Sequence, residues 1–148
     1  MQLLQAGPCQ IFYKRSSSES GCHWRVYTYP DTTIACDEME FDDQERDTLL
    51  NPTVLVEVLS ESTEKYARGR KSQHCRQIRS LKVLVLVSQE DFVVEWHTRC
   101  EDSSWLLQQR VGFAESIELE PVGIRIAMAE IYRGVSVKPG TSDKTPTA

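Results

Sequence analysis

The sequence predicts an α/β fold: a central sheet containing a β-α-β unit, followed by antiparallel strands. Three observations predict it. Val54, Leu55, Val56, Val58 and Leu59 form a nearly continuous apolar run, as suits a strand covered on both faces. LKVLVLVS, residues 81–88, is a second run of the same kind. Between them lies a strongly basic segment that reads as a helix to about Ser80. Two buried strands flanking one helix imply parallel strands and a right-handed crossover.

The other elements follow in chain order. Residues 9–16 and 22–29 read as two short strands, with SSSESG as the turn-like stretch between them. Pro30 suits a strand start, where its missing N–H does least harm, and the β-branched run Thr32-Thr33-Ile34 continues as a strand. DEMEFDDQERD, residues 37–47, holds seven acids among eleven residues and reads as a solvated loop. It has no glycine for the sharp turn of a calcium loop. Ser60, Ser62 and Thr63 are suitable N-cap residues for the helix, and Gly69 weakens it by about 1 kcal/mol relative to alanine. Lys65, Arg68, Arg70, Lys71, Arg76, Arg79 and Lys82 make this side basic, so it either pairs with the acidic loop or meets a phosphate backbone. Phe92, Val94 and Trp96 alternate with Val93, Glu95 and His97, giving a strand that returns as a hairpin. Residues 103–109 and 117–119 read as further strands, and a turn of helix follows near residues 128–132. Residues 1–135 make one domain, and SVKPGTSDKTPTA, residues 136–148, reads as a disordered tail.

Composition narrows the function classes. The chain has 148 residues, enough for one domain with a real core, and a net charge of -5, so nucleic-acid contact requires a local basic patch. No run approaches the roughly 18 apolar residues of a membrane helix, and the N-terminus does not read as a signal peptide. The five cysteines (Cys9, Cys22, Cys36, Cys75 and Cys100) are odd in number and form no CxxC pair. They read as reduced thiols in the cytoplasm, and the neighbours His23 and His74 lack the spacing of a structural zinc site.

One acid interrupts the first apolar run. Glu57 shares a strand face with Thr53, Leu55 and Leu59, where a carboxylate is costly unless it is paired, protonated or bound to a metal. Asp31 starts the preceding strand and Lys71 lies on the following helix. Two carboxylates on adjacent strands can hold a hard divalent cation, and a nearby lysine can orient a water and stabilise developing negative charge. Such a set suffices for metal-assisted phosphodiester hydrolysis. It equally allows a structural role, with Glu57 paired to an arginine.

YPDTTIAC, then FDDQERDTLLNPTVLVEVLSEST, then RGRKSQHCRQIRSLKVLVLVSQ, together with the late stretch LEPVGIRIAMAEIY, resemble the Uma-type restriction endonuclease family of the PD-(D/E)XK nuclease superfamily. The resemblance runs from about Tyr27 to Tyr132. It implies a restriction-endonuclease-like mixed central sheet, with Asp31 and Glu57 as ligands of Mg²⁺ or Mn²⁺. The usual lysine two residues after the acid is Leu59 here, and Lys71 matches the place to which the family moves it. Gln73 stands two residues further on. The family usually begins with a longer N-terminal region, so the chain reads as N-terminally shortened. Ala67 occupies a position where the family commonly has an acid, and Ser72 and Cys75 replace larger apolar or aromatic residues. The expected activity is metal-dependent hydrolysis of DNA, with Asp31, Glu57 and Lys71 catalytic and Arg68, Arg70 and Arg76 on the DNA backbone. The alternative is a catalytically inactive relative that binds DNA or protein. A homodimer would suit double-strand cleavage, which often uses two sites.

Overall fold

The computed structural model describes residues 9–12, 21–22, 26–27, 30–41 and 49–137. Its main sheet has six strands: β1 (Gln10–Phe12), β4 (Thr32–Ala35), β5 (Val54–Leu59), β6 (Val83–Ser88), β7 (Val93–Arg99) and β8 (Trp105–Val111), in that spatial order. Only β5 and β6 run parallel; the other neighbours are antiparallel. β2 (Gly21–Cys22) and β3 (Val26–Tyr27) form a small hairpin, as do β9 (Ser116–Leu119) and β10 (Ile124–Ala127). The expected α/β fold, with its parallel unit and later antiparallel strands, is therefore present.

Alternation along the strands sorts side chains onto two faces. Leu55, Leu59, Leu84 and Leu86 point one way and pack with Ala67, Cys75 and Leu81 beneath the helix. Val54, Val83, Val85, Val87, Val94 and Trp96 point the other way. Ile117, Leu119, Met128 and Tyr132 cover that second face, so the C-terminal hairpin and the helical turn Met128–Ile131 complete the core. β5 and β6 sit between both layers, which is why their sequences are apolar at nearly every position.

The helix spans residues 64–76 as three consecutive pieces: Glu64–Tyr66 and Ser72–Arg76 are α-helical, and Ala67–Lys71 between them is a π-turn. Sequence reading extends it to Ser80, but the chain from Gln77 to Ser80 leaves the helix in turns. Ser60, Ser62 and Thr63 do not cap it with their side chains. Ser60 Oγ instead lies 2.6 Å from Thr63 Oγ1, and Ser60 O accepts from Thr63 N and Glu64 N. At the other end Arg99 does the capping. Its guanidinium donates to the carbonyls of Arg76 (2.9 Å) and Ile78 (2.7 Å), and its Nε donates to Leu81 (2.8 Å). The same guanidinium stacks 4.7 Å from the Trp105 ring. A planar group with several fixed donors suits this cluster of orphan carbonyls.

Other expectations need correction. Of the single strand expected over 22–29, Cys22 belongs to β2 and Val26–Tyr27 to β3, and these two pair antiparallel with each other. The rest of the expected N-terminal strands, residues 13–16, 23–25 and 28–29, lies outside the described residues, as do 17–20 of the turn between them, 42–48 of the acidic stretch and the tail from 138. Residues 124–127, read without a strand, pair with β9 as β10. The described part of the acidic stretch, 37–40, is the exposed loop expected, and Asn51 holds it in place, accepting from Glu40 N and donating to Glu38 O, each at 2.8 Å. Cys9 and Cys36 are not separate thiols. They form a disulfide at the position that follows the Gln10–Ala35 pair of β1 and β4, where cross-strand side chains face each other.

Candidate active site

Glu57 is 5% exposed on the helix-facing side of β5, and its compensating charge is Lys71, whose Nζ lies 2.7 Å from Glu57 Oε1. The strand puts a carboxylate into an apolar layer, and the crossover helix brings an ammonium back onto it. The β-α-β connection is therefore what assembles the pair. Lys71 is the last residue of the π-turn; such wide turns displace side chains from α-helical register and recur at functional sites.

Asp31 stands just before β4. The register pairs Thr32 with Val56, so the next position sets Asp31 opposite Glu57. Beyond Val56, β5 has no β4 residue beside it, and the Asp31 carboxylate takes that place: its Oδ2 accepts from Val58 N at 2.7 Å. Asp31 is exposed and Val58 is 37% exposed, so this corner of the sheet opens to solvent next to a buried carboxylate. Two carboxylates from neighbouring strands, one buried and one exposed, suit a hard cation that keeps part of its water shell. Among the described residues no group of three His, Cys, Asp or Glu gathers to offer a fuller ligand set.

The polar row continues across the sheet. Glu57 registers with Leu86, Leu86 with Glu95, and Glu95 with Gln109, all on the helix-facing side. Glu95 is ion-paired with Arg68, which also binds Glu64 at 2.9 Å, and Gln109 Nε2 donates to Glu95 at 3.1 Å. Partial burial works against the Arg68 charge, yet hydrogen bonds and Coulombic attraction from Glu64 and Glu95 outweigh it and raise its pKa. His97 lies on the same face and is half-buried; burial and the charges of Arg76 and Arg68 hold its imidazole below the ordinary value, against the pull of Glu95. Glu95 and Gln109 escaped sequence reading. The available signal was the polar phase of 93–97, in which Glu95 is the one acid.

The three expected site residues, Asp31, Glu57 and Lys71, thus come together at one corner. The expected backbone-contacting arginines divide. Arg70 is exposed, Arg68 is held by two acids, and Arg76 donates to Ser72 O at 3.3 Å. Among the described residues the ion pairs of this helix go to Glu57, Glu64 and Glu95; of the seven acids in the acidic stretch only Asp37, Glu38 and Glu40 are described. Gln73 is exposed, and Ala67 is buried in the layer beneath the helix.

The sheet order and crossover define a mixed α/β fold, and a crystal structure of a "putative nuclease belonging to DUF820" from Anabaena variabilis ATCC 29413 shares it, superimposing with a TM-score of 0.55 at 11% identity, over 71% of this chain and 59% of that one. The model of the Uma2 family, described as "Putative restriction endonuclease", matches residues 3–129, and the chain belongs to this family. Two uncharacterized proteins of Synechocystis sp. (strain ATCC 27184 / PCC 6803 / Kazusa), slr1290 and sll1609, are each 32% identical to it, over 110 and 94 residues. Those matches cover 74% and 64% of this chain but only 56% and 52% of the relatives' lengths.

Proposed function

We propose that this chain is a metal-dependent endonuclease domain that hydrolyses DNA phosphodiester bonds. The observation that carries the reading is the buried Glu57 carboxylate, ion-paired with Lys71 and set beside Asp31, in a chain of this family. Asp31 and Glu57 would hold Mg²⁺ or Mn²⁺. Oxygen donors on adjacent strands fit such an ion, and Glu57 is already placed where a positive charge offsets its burial. When bound, the ion supplies Lewis-acid polarisation of a phosphoryl oxygen and acidifies coordinated water.

The remaining work falls to the chain. Lys71 donates hydrogen bonds that orient a water and stabilises negative charge developing on the phosphate. Arg70, exposed on the same helix, meets the phosphate backbone, with Arg68 and Arg76 on either side of it. These contacts position the strand without reading its sequence. No described helix is long and apolar enough to cross a membrane, and a DNA substrate places the chain in the cytoplasm.

The test is cleavage of supercoiled plasmid with Mg²⁺ or Mn²⁺. The expected outcome is nicking by the wild-type chain and a loss of more than about 100-fold in Glu57→Ala and Asp31→Asn. Intact plasmid with the wild type under both metals would sink the enzyme reading. Calorimetric titration with Mn²⁺ follows the site independently: binding is expected in the wild type and lost in Asp31→Asn.

A further inference from the structure

The last strand of the sheet carries an edge that no described strand pairs with. β8 is seven residues long, pairs only with β7 among the described residues, and contains a single charged residue, Arg110. Leu106, Leu107 and Val111 on it are 52%, 55% and 61% exposed. Natural edge strands are usually blunted by lysine, proline, bulges or shortness, and β8 has none of these devices.

Its backbone register shows what fits. Gly112 N donates to Phe92 O, and Cys100 N donates to Ser104 O. With the one-to-one pairing of Val93–Arg99 and Trp105–Val111, even-numbered residues of β8 therefore turn their backbone groups toward β7. Trp105, Leu107, Gln109 and Val111 turn their N–H and C=O groups outward. The Gln109 carbonyl has one long contact, 3.3 Å from the Arg110 guanidinium, and a carbonyl can accept a second hydrogen bond.

We propose that β8 is a dimerisation edge whose partner is β8 of a second copy of this chain, paired antiparallel about a two-fold axis at Gln108. That centre sets Trp105 against Val111 and Leu107 against Gln109 of the second copy, so every outward N–H and C=O of the strand finds a partner. A centre shifted along the strand leaves outward groups unpaired. Side chains agree with the same centre. Leu106 meets Arg110 of the second copy, no like charges stand opposite within the strand, and Gln108 meets its own copy. The exposed apolar side chains are covered in the same step. Because opposed residues in an antiparallel pair share a face, the product is one continuous sheet with both helices on the same side. The inference uses only the edge and its register, and it does not depend on the nuclease reading.

Sedimentation equilibrium across a concentration series tests it. The wild type is expected to show twice the chain mass of 16.9 kDa. Gln108→Lys and Gln108→Glu each place like charges face to face at the axis and should raise the dimer dissociation constant at least about tenfold. An equimolar mixture of the two should recover the dimer, which a folding defect would not do. Leu107→Lys is a second disrupting variant, and far-UV dichroism checks that each variant keeps its fold. A wild type that stays monomeric into the millimolar range, a dimer indifferent to both Gln108 variants, or a mixture that does not reassociate would each overturn the proposal.

Discussion

Glu57 and Lys71 set the terms at the scale of single residues. Removing one partner of a buried pair leaves an uncompensated charge, which typically costs about 3–5 kcal/mol. Lys71→Met should therefore lower the urea midpoint strongly, while Glu57→Gln with Lys71→Met should recover much of the loss. If Asp31 and Glu57 bind Mn²⁺, that ion should raise the melting temperature of Lys71→Met more than that of the wild type, since a cation replaces the missing ammonium. Ser72 offers the opposite case. It is 1% exposed and its Oγ has no hydrogen-bond partner among the described residues. Ser72→Ala removes an unsatisfied buried oxygen and improves helix propensity, so a gain of about 1 kcal/mol is expected by denaturant titration. The costly acid in an apolar run was legible in the sequence because burial of a strand is written in consecutive residues. Its partner was legible as one candidate from its place on the following helix, and the family resemblance singled it out, since the reach of a side chain from a helix to a strand has no local signature.

Among the secondary-structure elements, the helix is the one that sequence reading described least well. Its position and basic character followed from its flanking strands, but its interior π-turn and early end did not. Both depend on contacts made elsewhere, such as Lys71 with Glu57 and Arg99 with the carbonyls past Arg76. Gly69 lies inside that π-turn, and a Cβ added there meets nothing within 4 Å. Gly69→Ala should therefore raise stability by up to about 1 kcal/mol. Loss of stability in that variant would mean that the π-turn needs glycine for reasons other than space. Arg99→Ala should cost about 3 kcal/mol, because several carbonyls lose a charged donor together, and Arg99→Lys should recover only part of it.

For the molecule as a whole, the six-stranded order was only partly readable. Local patterns identify strands, but β1 lying beside β4 rather than beside the β2–β3 hairpin is a long-range choice. The charge layout is likewise a long-range matter. Composition allowed the acidic stretch and the basic helix to pair; among the described residues the helix's ion pairs go to Glu57, Glu64 and Glu95, and Asp42, Asp43, Glu45 and Asp47 lie outside them. This arrangement also shapes the acid response. His97 has a folded pKa below its ordinary 6.5, so the unfolded chain binds more protons as the pH falls. Its contribution is intact above that value and is lost as the pH drops from about 6.5 toward the depressed folded pKa. Melting temperatures should fall across this window, and the slope should flatten in His97→Phe.

The guanidinium of Arg99 has a mechanical consequence. It ties the far end of the helix to the last residue of β7, while the near end, Glu64–Tyr66, buries no residue. The helix is thus a lever anchored at one end. If an incoming strand needs room, the helix should tilt about the Ile78 end, carrying Arg68 and Lys71 through arcs that shorten toward the anchor. Amide exchange should then be fast at residues 64–66 and progressively slower toward 75–78, and Arg99→Ala should erase that gradient.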